Sequence, residues 1–156
     1  MDPHTSIIIR PAGPQDRAQW QPLWDAYNAF YGRSGPTALA ADITDLTWSR
    51  ILDDAEPVHA LVAERDGQLL GLAHFLYHRN TIMAGPVCYL QDLFTLPAVR
   101  GQGIARALIE ALYRRAADDG ATRVYWHTHH TNAGARQLYD KLADDSGFIV
   151  YRKSLG

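Results

Sequence analysis

At 156 residues the chain has the size of one domain able to bury a single core, and 47% hydrophobic against 21% charged residues is a globular balance that excludes disorder. A formal net charge of -2 excludes a general pull toward nucleic acid or anionic membrane, and no apolar run nears the ~20 residues of a bilayer span. The lone cysteine, Cys88, excludes an internal disulfide and reads as a small buried apolar residue in a reducing compartment.

Met1 to Thr5 has neither the basic start nor the apolar core of a secretory leader, so a cytoplasmic location is expected. No repeat or linker interrupts the chain, and residues 1–156 read as a single domain. Ile7-Ile8-Ile9, bounded by Pro11 and Gly13, predicts a first strand. Trp20, Leu23, Trp24, Tyr27, Phe30 and Tyr31 recur at helical spacing, with Asp16 as N-cap and Gly32 to Pro36 as the break. A second helix falls within Asp42 to Leu52. Val58 to Glu64 and Leu69 to Tyr77 read as strands joined by an Asp66-Gly67 hairpin turn. Val87 to Thr95 is another strand, ended by Pro97. From Gly103 the pattern becomes helical, with Ile104, Leu108, Ala111 and Leu112 on one face and Gly120 at the end. Arg123 to Thr128 reads as a strand, Ala135 to Leu142 as a short helix, and Phe148 to Tyr151 as a closing strand. Strands fill the middle and helices flank them, so the expected class is α+β, a mixed α/β fold with a largely antiparallel sheet.

The segment Leu93-Phe94-Thr95 turns through Leu96-Pro97-Ala98-Val99-Arg100-Gly101-Gln102-Gly103 into a helix that begins Ile104-Ala105-Arg106. The first N–H groups of a helix have no internal partner, and the helix dipole adds partial positive charge there. Such an end binds phosphate oxygens if nothing bulky shields it, and Gly101, Gly103 and Ala105 leave it open. A Walker loop would need Lys-Ser or Lys-Thr where Ile104-Ala105 stands, and the dinucleotide fingerprint fails at Arg106. A glycine turn that merely caps a helix is the plain alternative.

What remains, Arg100-x-x-Gly103-x-Ala105, resembles the pyrophosphate-binding motif of the GNAT superfamily of N-acetyltransferases. Tyr89 to Phe94 resembles the strand before that motif in the polyamine- and histone-type branch, Val124-Tyr125-Trp126 the next strand, and Asn132 to Leu142 the helix after it. The resemblance implies a sheet splayed into a V-shaped cleft that takes acetyl-CoA as co-substrate. It implies direct attack on the thioester, in a ternary complex, by a primary amine: a small amine, a polyamine or a lysine side chain. On that reading Leu93, Phe94 and Thr95 bond the pantetheine arm through their backbones. Arg100, Gly101, Gln102, Gly103, Ile104, Ala105 and Arg106 hold the pyrophosphate, and Asn132 adds a side-chain contact or simply caps its helix. A bulge in the preceding strand would aim one N–H at the thioester oxygen.

Tyr139 matches the tyrosine that such enzymes place beside the CoA sulfur, where its phenol would act as general acid. Related sequences often carry Glu where this chain has Gln91, which cannot accept a proton. Asp92 is then the candidate carboxylate base, with a water chain led by backbone carbonyls as the equal alternative; strict alternation would put Asp92 on the strand face opposite Gln91, where it could instead hold the strand or a water. No metal is expected, since His127, His129 and His130 lack a carboxylate or cysteine at ligand spacing. The expected partner is the amine acceptor, small molecule or peptide, rather than nucleic acid or membrane. Homodimers are frequent in that branch, which makes a second copy a candidate partner. Asp42, Asp45, Asp53, Asp54 and Glu56 around Trp48 are either a solvated helix face or an entrance that attracts a cationic amine. The alternative function is an acyl-CoA-binding regulatory module without catalysis, for which the missing carboxylate at Gln91 argues.

Overall fold

The computed structural model describes residues 6–156, so the leader reading of Met1 to Thr5 lies outside the described residues. The chain divides into two compact units, one ending at Trp126 and one running from His127 to Gly156.

In the first unit, strands β1 (Ile8–Pro11), β2 (Val58–Arg65), β3 (Gln68–His78), β4 (Val87–Thr95) and β5 (Val124–Tyr125) form one sheet in that order. The first three pairings are antiparallel and β4–β5 is parallel. Between β2 and β3, Asp66 at φ 53 and Gly67 at φ 77 make a turn with two left-handed residues, which matches the right-handed twist of the strands it joins.

Helices α1 (Arg17–Phe30) and α3 (Ile104–Asp118) lie on opposite faces of this sheet. Trp20 of α1 bonds His74, while α3 lies against Gly71 and puts Arg115 over Phe75, and alternate residues of one strand face opposite ways. Trp20, Leu23, Trp24 and Tyr27 bury the α1 stripe against Val62, Leu72 and Phe94, and Trp48 of α2 (Ala41–Leu52) joins them. On the other face Ile104, Leu108, Ile109 and Leu112 are almost wholly buried. Gly71 permits the close seating of α3: a Cβ there would stand 2.8 Å from the Phe94 carbonyl oxygen and 3.2 Å from both Ile104 Cγ2 and Leu108 Cδ1.

Asp16 occupies the position before α1 but makes no side-chain cap bond to it. The Arg10 guanidinium donates to both of its carboxylate oxygens, at 2.8 and 2.9 Å, and the Gly13 N–H donates at 2.7 Å. The expected N-cap is instead a clamp between β1 and the start of α1. The Arg10 guanidinium, more than any other neighbour, holds the Asp16 carboxyl below the usual range.

The second unit contains one helix, α4 (Ala133–Leu142), and residues 143–156 carry neither helix nor strand. Two sequence expectations are corrected here. The strand expected over Arg123 to Thr128 is reduced to Val124–Tyr125, and Phe148 to Tyr151 form no strand, with Tyr151 91% exposed. An apolar β-branched pattern makes a strand only when a neighbouring ladder satisfies its N–H and C=O groups, and among the described residues none pairs with 148–151. Among the described residues, no helix is long and apolar enough to cross a membrane.

Candidate active site

The site is built on β4. Its register against β3 runs Ala73 to Leu93 and His74 to Asp92, then jumps to Phe75 opposite Leu90, so Gln91 is an extra residue and the strand is bulged there. Directly opposed residues share a face, so the bulge puts Leu90 with Phe75 on the α3 side and Asp92 with His74 on the α1 side. The alternation that separated Gln91 from Asp92 is therefore interrupted at the very step it was meant to cross. On its other edge β4 meets β5 only at Cys88 and Tyr89. From Leu90 to Thr95, among the described residues, it pairs with β3 alone. Backbone groups along that open edge are available to an extended, amide-bearing ligand.

Beyond β4 the chain stays tied to the sheet: Leu96 N–H donates to the Leu70 carbonyl at 2.9 Å, and Val99 is buried. Arg100 lies over the Phe94 ring and donates to the Thr95 carbonyl at 3.3 Å, while Arg65 donates to Gln102 Oε1 at 2.9 Å. Gly101 at φ 80 and Gly103 at φ 82 adopt the left-handed backbone that glycine supplies without strain, and both face open space. No side chain caps α3, and its first intrahelical bond is Ala107 N–H to the Gly103 carbonyl, so the amides of Ile104, Ala105 and Arg106 precede the hydrogen-bonded ladder. The Arg106 side chain turns along the helix to Glu110 at 2.9 Å. Thr95 Oγ1 is buried and has no hydrogen-bond partner among the described residues, which is unusual for a buried hydroxyl and suits a ligand partner. Leu93, Phe94, Thr95 and the Arg100–Arg106 loop thus meet where β4 gives way to α3. A phosphate-bearing ligand with an amide arm fits this donor set.

Asp92 is buried rather than open. Its Oδ2 lies 2.9 Å from His74 Nδ1, and Trp20 Nε1–H donates to His74 Nε2 at 3.0 Å. Burial, followed by the charge and hydrogen bond of Asp92, pushes the Tyr27 phenol well above its ordinary value, so Tyr27 keeps its proton. Sequence reading missed His74, Trp20 and Tyr27 as a polar group. The available signal was a histidine in an apolar strand, Leu69 to Phe75, facing a tryptophan-rich helix.

Trp48 is buried against Trp20, with ring centroids 4.8 Å apart, so it offers no face to a cation. Asp45 is paired with Arg17 at 2.6 Å, and Asp53 accepts from its own turn at Ala55 N–H. The Trp48 part of the expected entrance is thereby corrected, since that ring belongs to the core, and two of the five carboxylates have local partners. Cys88 is buried, and burial first of all pushes its thiol up to about 12. In the second unit Asn132 holds the N-cap position of α4 without a cap bond; its Nδ2 instead reaches Thr128 Oγ1 at 3.4 Å. Tyr139 is half-buried on α4. Among the described residues no cluster of three histidine, cysteine or carboxylate side chains is placed to hold a metal ion.

Known proteins resemble this chain in sequence and in overall fold. The acetyltransferase (GNAT) family pattern covers residues 20–143. The chain belongs to the acetyltransferase (GNAT) family. Among related sequences, the D-amino-acid N-acetyltransferase HPA3 of Saccharomyces cerevisiae is 30% identical over 150 residues, spanning 95% of this chain and 91% of that protein. The aminoglycoside N(6')-acetyltransferase type 1 of Salmonella typhimurium is 26% identical over 104 residues, 64% of this chain and 72% of that one. Among solved structures, AAC(6')-Iy in complex with the bisubstrate analog CoA-S-monomethyl-acetylneamine superposes with a TM-score of 0.79 at 22% identity, covering 97% of this chain and 100% of the other. The GNAT chain described here is an N-acetyltransferase by these relationships, and its fold is the family's mixed α/β sheet flanked by helices.

Proposed function

We propose that this acetyltransferase moves an acetyl group from acetyl-CoA to the primary amine of a small molecule, by direct attack in a ternary complex. The single observation that carries this is β4, which loses one neighbour over Leu90–Thr95 and runs into the uncapped start of α3. Leu93, Phe94 and Thr95 offer backbone groups to the pantetheine amides, with Thr95 Oγ1 as a further polar contact. The amides of Gly103 to Arg106, with Arg100, Gly101 and Gln102 around them, receive the pyrophosphate. Asn132 contributes its side chain to the same ligand.

In the reaction the amine nitrogen forms a C–N bond to the thioester carbon, and the C–S bond breaks. The amine loses one proton, which Asp92 takes, and the departing thiolate gains one, which Tyr139 gives. No acyl-enzyme is required, and a buried thiol raised to about 12 makes Cys88 a poor nucleophile at neutral pH. Residues 1–156 act as one catalytic domain, a reading supported by a family match that runs through both units. A lone buried cysteine suits work in the cytoplasm. Two relatives are named for D-amino acids and aminoglycosides, which directs attention to small amines before peptides.

The test is a thiol-release screen of acetyl-CoA against D-amino acids, aminoglycosides, polyamines and lysine peptides. Release with a small amine supports the proposal; acetyl-CoA binding with no release for any amine supports the regulatory module instead. With the active amine in hand, Tyr139→Phe should lower kcat by roughly 10²–10⁴-fold at nearly constant KM, the scale of general acid catalysis by one group. A folded Phe variant with unchanged kcat removes Tyr139 as the acid.

A further inference from the structure

The polar group on the α1 face has a defined direction. Indole Nε1–H can only donate, so the 3.0 Å contact from Trp20 makes His74 Nε2 an acceptor with no proton. A neutral imidazole carries its proton on the other nitrogen, so Nδ1–H donates to Asp92 Oδ2 at 2.9 Å. Asp92 is thereby an acceptor toward His74, and its charge also acts on the Tyr27 phenol. His74 and Asp92 are only 2% and 8% exposed, so neither bond has water as a ready substitute. The pair also has a particular place in the sheet: His74 and Asp92 are the last residues in register before β4 slips by one at Gln91.

We infer that His74, held in its Nδ1–H form by Trp20, is a positioning residue that fixes the bulge of β4 at Gln91 and so sets the aim of the backbone around it. A bulge is one of several registers a strand can take, and the residue after it must be pinned for the extra residue to stay put. Apolar packing at Asp92 would tolerate a slip, whereas a directional bond from a buried histidine on the neighbouring strand does not. The chain of donors runs from Trp20 on α1, through His74 on β3, to Asp92 on β4, so it ties one helix to both strands at the irregular step. In the acetyl-transfer reading, on which the kinetic part of this inference rests, that step carries the N–H group nearest the thioester oxygen. A displacement of about 1 Å there costs up to roughly 10²-fold in rate.

The experiment combines kinetics with NMR on the full chain. His74→Leu should lower kcat by about 10–100-fold with KM for acetyl-CoA little changed, and His74→Asn, which keeps a donor toward Asp92, should recover most of that loss. In the same His74→Leu protein the amides of Gln91, Asp92 and Leu93 should shift and exchange faster with solvent. Wild-type His74 should show a proton on Nδ1 and none on Nε2. Should His74→Leu fail to fold, the wild-type ring decides by itself: a proton on Nδ1, facing Asp92, supports the inference. A folded His74→Leu protein with unmoved bulge amides, or a wild-type proton on Nε2, overturns the inference. Wild-type protein without thiol release overturns the acetyl-transfer reading alone, because the amide and imidazole signals decide the role of His74 by themselves.

Discussion

On the α3 side the sheet presents Leu61, Ala73, Phe75 and Leu90, and the helix meets them with Ile104, Leu108, Ile109 and Leu112. On the α1 side the same strands present Val62, Leu72, His74, Asp92 and Phe94 to three tryptophans and Tyr27. The first interface is stabilised by area and volume, and contacts of that kind have no direction. The second adds bonds that exist in one geometry only: Trp20 to His74, His74 to Asp92, and Trp24 Nε1–H to Thr44 Oγ1 at 3.3 Å. The two faces of the sheet divide the labour. Apolar packing holds α3 on the sheet, while directional polar bonds choose the register of the strand that carries the chemistry.

The sharpest way to break this division is in the aliphatic face. Leu112→Ala, at a fully buried position, should cost about 2–5 kcal/mol of stability by denaturant unfolding while activity per folded molecule stays at the wild-type value. A large fall in kcat for the folded variant would show that α3 packing also sets the site.

A smaller effect is expected at the Arg10–Asp16 clamp, on the directional face. Asp16→Asn should destabilise by about 1.5–3 kcal/mol at neutral pH, the range for hydrogen bonds to charged groups. Because Arg10 holds the native carboxyl below its unfolded value, its contribution is fully present above the ordinary aspartate value of about 4. That contribution is lost as pH falls through the lowered native value, so wild-type and variant stabilities should converge in acid. Parallel unfolding midpoints from pH 7 into the acid range check it, and a constant gap would count against the ion pair.

The smallest effect belongs to Cys88, on the α3 side of β4. Cys88→Ala should cost about 1 kcal/mol of stability and leave kcat unchanged. Mass spectrometry of the wild-type protein incubated with acetyl-CoA should find no acetyl adduct at this thiol. An adduct together with lost turnover in the variant would replace direct attack by a covalent route.

Local features of this chain were legible and non-local ones were not. The Asp66-Gly67 turn and the Gly101–Gly103 loop were found because a left-handed backbone selects glycine or aspartate within a few residues. The helices over Trp20 to Phe30 and from Ile104 onward followed from their apolar period. Strand ends depend on a partner elsewhere in the chain, so Arg123 to Thr128 was read too long and Phe148 to Tyr151 as a strand that does not form. Trp48 was placed with the acidic residues beside it in sequence, although its spacing from Thr44 turns it into the core with that residue. The bulge was anticipated, but the pairing that marks it joins residues 18 apart across a register shift. No periodicity records such a shift, so the sequence pattern does not mark His74, and alternation alone gives Asp92 its face.

Gly71 bears on distance. A single missing methyl lets α3 approach until Leu108 and Ile104 would touch any carbon placed there, with the Phe94 carbonyl closer still. The carbonyl belongs to the end of β4, and Ile104 to the first turn of the helix whose amides face the loop. The spacing between those two ends is therefore measured out by an atom the chain lacks. That spacing also decides how long an extended molecule must be to lie along β4 and still reach the helix with its anionic end.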